Sequence, residues 1–509
     1  MASDLKIPPF IILGIDAGDP GFIREWSAHG YLPSISSIIK DGIWGKTSGP
    51  ELVTEHGVWI SLLSGISRSR HGYHYFRQLK PGTYDLESVT GLDIDAPPFW
   101  SHLIGTGKKS LIVDAADIRL YEGLTGIQVA NWATHHNWDP YHFVTASEPP
   151  EIIDEIGKKF GSKLLTVENH NSTFEQDMAI YRKLLENVRI KGEMCRYLLK
   201  QDRFDISLLI FAESHAANHQ FWKYHPGMRA PGDRDCELTY AIRDVYAAID
   251  NEIGLILKLF DNPNVCIVSS VGMEDDYPNA ALSEVFCRQL GFQASPEGGS
   301  YSVRPIDIAR RLLPESVRMA LSRHMPRDKR EQLVSDRFRT GTDWSRTTAF
   351  SIPVSYTSFI RVNLREREPQ GIVEPGNEYH SLIDRIAGEL NRLVDPVTVE
   401  PAVVSVSKTV EIFKCDPHEF LPDIFVEWKP GRFMERVVHP ETELIQKKPE
   451  FFRRSDHSSY GFFALSGPSV IARGEIDNDN IEVLDIAPTF MSLLGEPVPD
   501  IMHGHTLLD

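Results

Sequence analysis

Short, continuous apolar runs alternate along this chain with longer stretches in which apolar residues recur every three to four positions. The runs are Phe10–Ile15 (FIILGI), Lys109–Asp114 (KSLIVD), Asp205–Phe211 (DISLLIF) and Asn264–Ser270 (NVCIVSS). A run of four to seven apolar residues without polar alternation reads as a strand buried on both faces. The helical spacing is clearest over Glu175–Lys200 and Leu238–Phe260, and again in LDIAPTFMSLLG within the tail 481–509. Strand and helix in alternation predict a largely parallel sheet covered on both sides. The first run ends on Asp16, Gly18 and Asp19, placing carboxylates at the C-terminal end of a strand, where α/β enzymes put their chemistry. Between Pro305 and Arg346 the pattern turns basic and polar, which reads as a solvated helical insertion over about 295–345. With no internal repeat, low-complexity tract or Gly/Ser linker, one catalytic domain over 1–509 with insertions is the expectation.

Composition narrows the partners. The 509 residues are 41% hydrophobic and 24% charged, as in an ordinary globular protein, and carry a net charge of −18. That sign argues against nucleic acid or an acidic membrane as partner. A small anionic substrate stays open, because a metal ion can set the field inside a cleft. Five cysteines (Cys195, Cys236, Cys266, Cys287 and Cys415) lie far apart without a CxxC pair, so neither a disulfide framework nor a thiolate zinc site is expected. The opening MASDLKIPPFIILGIDAGD has neither a secretory pattern nor a run long enough for a membrane span. A soluble, cytoplasmic protein follows; the oligomeric state is not legible.

Candidate chemistry begins with His215 and His219, directly after the apolar run that ends at Phe211. Histidines at i and i+4 share one helix face and can share a metal. Asp456-His457 precedes another apolar run, and Thr54-Glu55-His56-Gly57 precedes an apolar helical stretch. The latter reads as a helix cap or as an anion-binding or catalytic loop. No Walker A loop, GxGxxG fingerprint, GxSxG elbow or kinase signature is present.

Further motifs fall in a fixed order: Leu13–Gly18 (LGIDAG), Trp59–Gly65 (WISLLSG) with His71-Gly72, His219–Trp222 (HQFW), and Val271-Gly272-Met273. They continue through Asp343–Thr347 (DWSRT), Pro422-Asp423 and Asp485–Thr489 (DIAPT). Together they resemble the type I phosphodiesterase/nucleotide pyrophosphatase branch of the alkaline phosphatase superfamily, including its phosphohydrolase- and phosphomutase-like members. The resemblance implies an α/β fold with a mostly parallel central sheet flanked by helices and interrupted by inserted cap segments. It also implies two metal ions about a Thr or Ser nucleophile. One metal takes a D-x-x-x-H motif and a late His; the other takes the first-strand Asp, the nucleophile and an Asp-His pair.

This chain departs from that pattern in three places. His215 stands where the D-x-x-x-H aspartate is expected, with His219 and His457 matching the other two ligands. Asp16 survives, but Ser270-Val271 replaces the Asp-His pair, so a second metal loses its ligands. Glu55 falls in the nucleophile slot, and Thr54 reaches it only if the loop is one residue longer. Glu55 is expected to ligate the remaining metal and act as base; Asp16 and Ser270 are left to contact substrate or orient a ligand. One divalent ion in a three-His site, zinc, iron, manganese or copper, is the expected cofactor. It lacks the clamp that two metals place on a transferred phosphoryl group. Three readings remain. The first is a hydrolase or phosphotransfer-like enzyme acting on a small anion. The second is a mononuclear three-His (plus Glu) enzyme of oxidative, lyase or rearrangement chemistry. The third is a non-catalytic ligand-binding relative.

Overall fold

The computed structural model describes residues 7–134, 143–164, 172–228, 234–296, 327–449, 452–476 and 481–508. Its contacts divide into two compact units, a division that hydrophobic patterning does not reveal. One comprises residues 1–71, 90–275 and 451–509, and the other residues 72–89 and 276–450.

The first unit is built on a nine-stranded sheet. Its order is Gly474–Glu475, Gly42–Lys46, Phe462–Ser466, Asn264–Val268, Phe10–Ile15, Ile206–Phe211, Ser110–Val113, Gly126–Ala130 and Ala146–Glu148. The run from Asn264–Val268 to Gly126–Ala130 is parallel throughout. Phe462–Ser466 enters antiparallel to both neighbours, and Ala146–Glu148 closes one edge antiparallel. The four predicted strands are all present, each within two residues of its expected ends.

Burial explains why these runs carry no polar alternation. Along the first strand, Ile11, Leu13 and Ile15 join one apolar cluster, which includes residues of the helices Phe174–Leu199, Glu213–Phe221 and Ala241–Leu257. Phe10 and Ile12 join another with residues of Val58–Ser64 and Ile486–Leu493. Both faces are covered, so every position is apolar. Gly14 is the exception in size, since a Cβ there would meet Ile210 Cγ1 at 2.7 Å. The long helix Phe174–Leu199 starts one residue earlier than its apolar spacing suggests, because Thr173 and Gln176 form a capping box.

The second unit holds an antiparallel sheet ordered Ala349–Ile352, Ser358–Val362, Ile424–Trp428 and Val403–Lys408. A separate apolar core fills it, with Leu282, Phe286, Tyr379 and Ile383 from two helices. Of the expected insertion, residues 297–326 lie outside the described residues. The remainder forms the helix Arg327–Thr340, where Glu331 pairs with Arg77 and Ser335 Oγ takes the Leu86 N–H at 2.7 Å. Among the described residues no helix is long and apolar enough to cross a membrane.

Candidate metal centre

The site lies within the first unit, at the edge where its parallel strands end. After Ile15 the chain turns through Ala17, held at φ +50°, and the turn's carbonyls are tied from several elements. Ser214 Oγ donates to the Asp16 carbonyl at 2.6 Å, Asn218 Nδ2 to that of Ala17 at 2.7 Å, and Ser269 Oγ to that of Gly18 at 2.8 Å. Asp19 caps the helix Pro20–Ala28 through the Phe22 N–H and also takes the Met273 N–H. This leaves the Asp16 carboxylate between Trp59, whose Nε1 donates to it at 2.8 Å, and His215, whose Nδ1 is 3.3 Å away.

His215 and His219 stand one turn apart on the helix Glu213–Phe221, as their spacing predicts. His457 comes from the loop before Phe462–Ser466, an antiparallel strand that begins at this same edge. That loop is pinned by a backbone pair between Asp456 and Glu274 and by the Ser458 N–H on the Gly272 carbonyl. Gly272 is required for the close approach: a Cβ would meet Asp19 Oδ2 and Ser458 Oγ at 2.7 Å each. The three imidazole centroids form a nearly equilateral triangle of 4.8, 4.9 and 5.1 Å. One ligand atom from each ring lies within 4.8 Å of the other two. Among the described residues no other group of His, Cys, Asp or Glu is so arranged.

The protonation states suit a cation. Burial, with the charge of His215, holds the His457 pKa well below its ordinary value, so the ring is neutral. His457 Nδ1 is buried and has no hydrogen-bond partner among the described residues. At His219, Arg453 Nη1 lies 3.1 Å from Nε2 and Ser455 Oγ lies 3.2 Å from Nδ1. A guanidinium can only donate, so Nε2 carries the lone pair and Nδ1 the proton. In that tautomer the Nε2 lone pair, here taken by Arg453, is the one a metal would use, while Ser455 holds the ring through Nδ1. Three imidazoles clustered in this way, two of them in these forms, fit a divalent metal.

Thr54 and Glu55 follow the short 3₁₀ turn Pro50–Val53 and precede the helix Val58–Ser64. They do not cap that helix; Gly57 occupies its cap position at φ +85°. Instead Thr54 Oγ1 donates to Glu55 Oε2 at 3.0 Å, and His56 Nδ1 donates to Glu55 Oε1 at 2.6 Å. Burial pushes the Glu55 carboxyl up, but the charge and hydrogen bond of His56 hold it below the ordinary carboxylate range. Asp456 goes the other way: burial pushes it up to about 7, against the charge of Arg453 and with that of Glu55.

Arg68 is fully buried. Its guanidinium grips the carbonyls of His56, Glu51 and Thr54 at 2.5, 2.6 and 3.1 Å and so fixes the loop that carries Glu55. His71 bonds Ser61 Oγ at 2.9 Å, a packing role. His135 and His136 lie outside the described residues.

The structure therefore brings together the three expected histidines. Glu55 lies outside that group of ligand atoms but close enough for its charge to act on His457. Asp16 stands beside His215, and Ser270 is buried next to Val271, which packs into the apolar core. Sequence reasoning missed Arg453 and Ser455. The only trace of them is a polar, basic stretch just before Asp456-His457.

A mostly parallel sheet with a three-histidine cluster at its C-terminal edge defines an α/β enzyme of the alkaline-phosphatase type. The chain belongs to the type I phosphodiesterase/nucleotide pyrophosphatase family, whose sequence profile matches residues 10–333. It is accordingly a hydrolase-like enzyme of a family that uses divalent metal ions. Phosphonoacetate hydrolase from Sinorhizobium meliloti 1021, in complex with phosphonoformate, is similar in structure with a TM-score of 0.53 and 13% identity, over 96% of this chain and 95% of that one. Its complex with phosphonoacetate gives 0.52 at the same identity and coverage. Murine ectonucleotide pyrophosphatase/phosphodiesterase 5 in complex with AMP gives 0.45 at 13% identity, over 97% and 96%. No curated protein matches the sequence significantly.

Proposed function

We propose that this chain hydrolyses, or transfers a group from, a small anionic molecule, using one divalent metal ion held by His215, His219 and His457. The observation that carries this reading is the triangle of imidazoles, at least two of which are in the neutral or lone-pair-presenting form that a metal needs. A cation there supplies Lewis acidity toward an anionic oxygen and acidifies water. The protein's own groups do the rest. Glu55 stays ionised and is placed to take a proton from Thr54 or from water, with His56 fixing its orientation. Asp16 Oδ2, 3.3 Å from His215 Nδ1, is near enough to support that ring as a carboxylate commonly supports a ligating histidine. Ser270 is left as a neutral wall where relatives of the resembled pattern place a second metal's ligands. The five cysteines, all free, support a reducing, cytoplasmic setting.

The charge of Glu55 beside His457 favours a second reading, in which Glu55 completes a three-His, one-carboxylate shell for iron, manganese or copper and the step is not hydrolytic. Turnover of a generic phosphodiester separates the two. The first reading expects metal-dependent hydrolysis that falls by roughly 10²–10⁴-fold in Glu55→Gln. A redox metal in the purified protein, with no hydrolysis of any phosphodiester or phosphonate, would favour the second.

A further inference from the structure

Arg453 occupies the position that a metal ligand atom should keep open. Its Nη1 donates to His219 Nε2 at 3.1 Å, and its Nη2 reaches Asp456 Oδ1 at 3.3 Å. An imidazole nitrogen has one lone pair, so Nε2 cannot serve both this guanidinium and a metal ion. Coordination through Nε2 must break the Arg453 bond. The backbone that carries the arginine stays held beside the site. Arg453 lies two residues from Ser455, which is fully buried on His219, and three from Asp456, whose backbone is paired with Glu274. A guanidinium and a divalent cation would thus share a small volume, and like charges so placed disfavour each other. An anion between them removes that penalty, since guanidinium recognises phosphoryl and carboxyl oxygens through paired N–H donors. The Arg453 side chain is 28% exposed, enough for a solute to reach it.

The geometry points to Arg453 as the anion-binding group of this site and as the residue that couples anion to metal, each ligand tightening the other. The inference rests on the three-histidine site proposed above and adds to it the substrate's recognition: an oxyanion group, phosphoryl or carboxyl, held between the metal and Arg453. By linkage the coupling is reciprocal: whatever factor phosphate adds to metal affinity, metal adds to phosphate affinity.

The test uses the full-length protein stripped of metal. Manganese or zinc affinity is measured by competition with a chromophoric chelator, with and without inorganic phosphate, in wild type, Arg453→Gln and Arg453→Lys. Complexation of metal by phosphate in solution affects all three proteins alike and is corrected against chelator alone. Wild type is expected to bind metal at least about fivefold more tightly with phosphate present. Arg453→Gln is expected to bind metal more tightly than wild type without phosphate and to lose the phosphate effect. Arg453→Lys keeps the charge but not the paired donors and should retain part of it. A wild-type affinity indifferent to phosphate overturns the inference, as does an undiminished phosphate effect in Arg453→Gln, while leaving the three-histidine site standing. If wild type binds no metal under either condition, the site reading fails and this inference with it. A role confined to holding the loop would predict weaker metal binding in Arg453→Gln without phosphate, the opposite sign.

Discussion

Glu55 takes hydrogen bonds from both of its sequence neighbours, Thr54 and His56, and the proposed function leaves Thr54 or a water as the group it deprotonates. Thr54→Val removes the hydroxyl and leaves the carboxylate ionised. If Thr54 is the nucleophile, phosphodiester turnover is lost; if Glu55 serves water instead, most of it survives. On the other side of the site Ser455 supports His219 through Nδ1. Ser455→Ala should weaken metal affinity by roughly 10–100-fold, the usual cost of removing the partner of a ligating histidine, measured by the same chelator competition. At this scale His215, His219 and His457 were legible, since i, i+4 spacing after a strand and a family-like order placed them. Arg453 and Ser455 were not, because their roles depend on which ring the loop meets, and no spacing encodes that contact.

The loop from Glu51 to Gly57 owes its shape to one buried side chain. Arg68 carries the carbonyls of Glu51, Thr54 and His56, while Glu51 takes the Arg68 N–H at 2.9 Å and two serine hydroxyls. Arg68→Met would leave Glu51 as a buried carboxylate without its cation, at a cost of about 3 kcal/mol or more, seen as a lowered Tm in a thermal melt. Elements were legible to different depths. Runs such as Phe10–Ile15 were readable because burial on both faces removes every polar residue. The direction of Phe462–Ser466 was not, because an antiparallel strand buried within a sheet has the same apolar pattern as a parallel one. His457 reaches the site through that reversal.

Over the whole molecule the sequence predicts one domain, whereas contacts gather into two units, each with its own core. Apolar periodicity reports that a segment is buried but not which core buries it. Pro422-Asp423 illustrates this: read as a family motif, Asp423 proves to be a buried counter-ion in the second unit. It pairs with Arg367 and takes the Val362 N–H at 2.6 Å and the Tyr379 hydroxyl at 2.7 Å. Burial alone would raise its pKa, but the Arg367 charge and hydrogen bonds, with the charge of Arg361, hold it below the ordinary 3.8. A carboxyl lowered in the folded state adds stability above its unfolded pKa, and that stability is lost as pH falls through the folded value. Asp423→Asn should therefore cost about 3–5 kcal/mol near neutrality, and the gap to wild type should close in acid, below the ordinary value, in melts taken across pH.

The central claim is that one metal site remains where the resembled family pattern has two. Elemental analysis of protein purified without added metal, then saturated and freed of excess, tests it most directly. The three-histidine account predicts one divalent ion per chain, lost in His215→Ala and His219→Ala variants that remain folded. Two ions per chain, or one that persists in both variants, would contradict it.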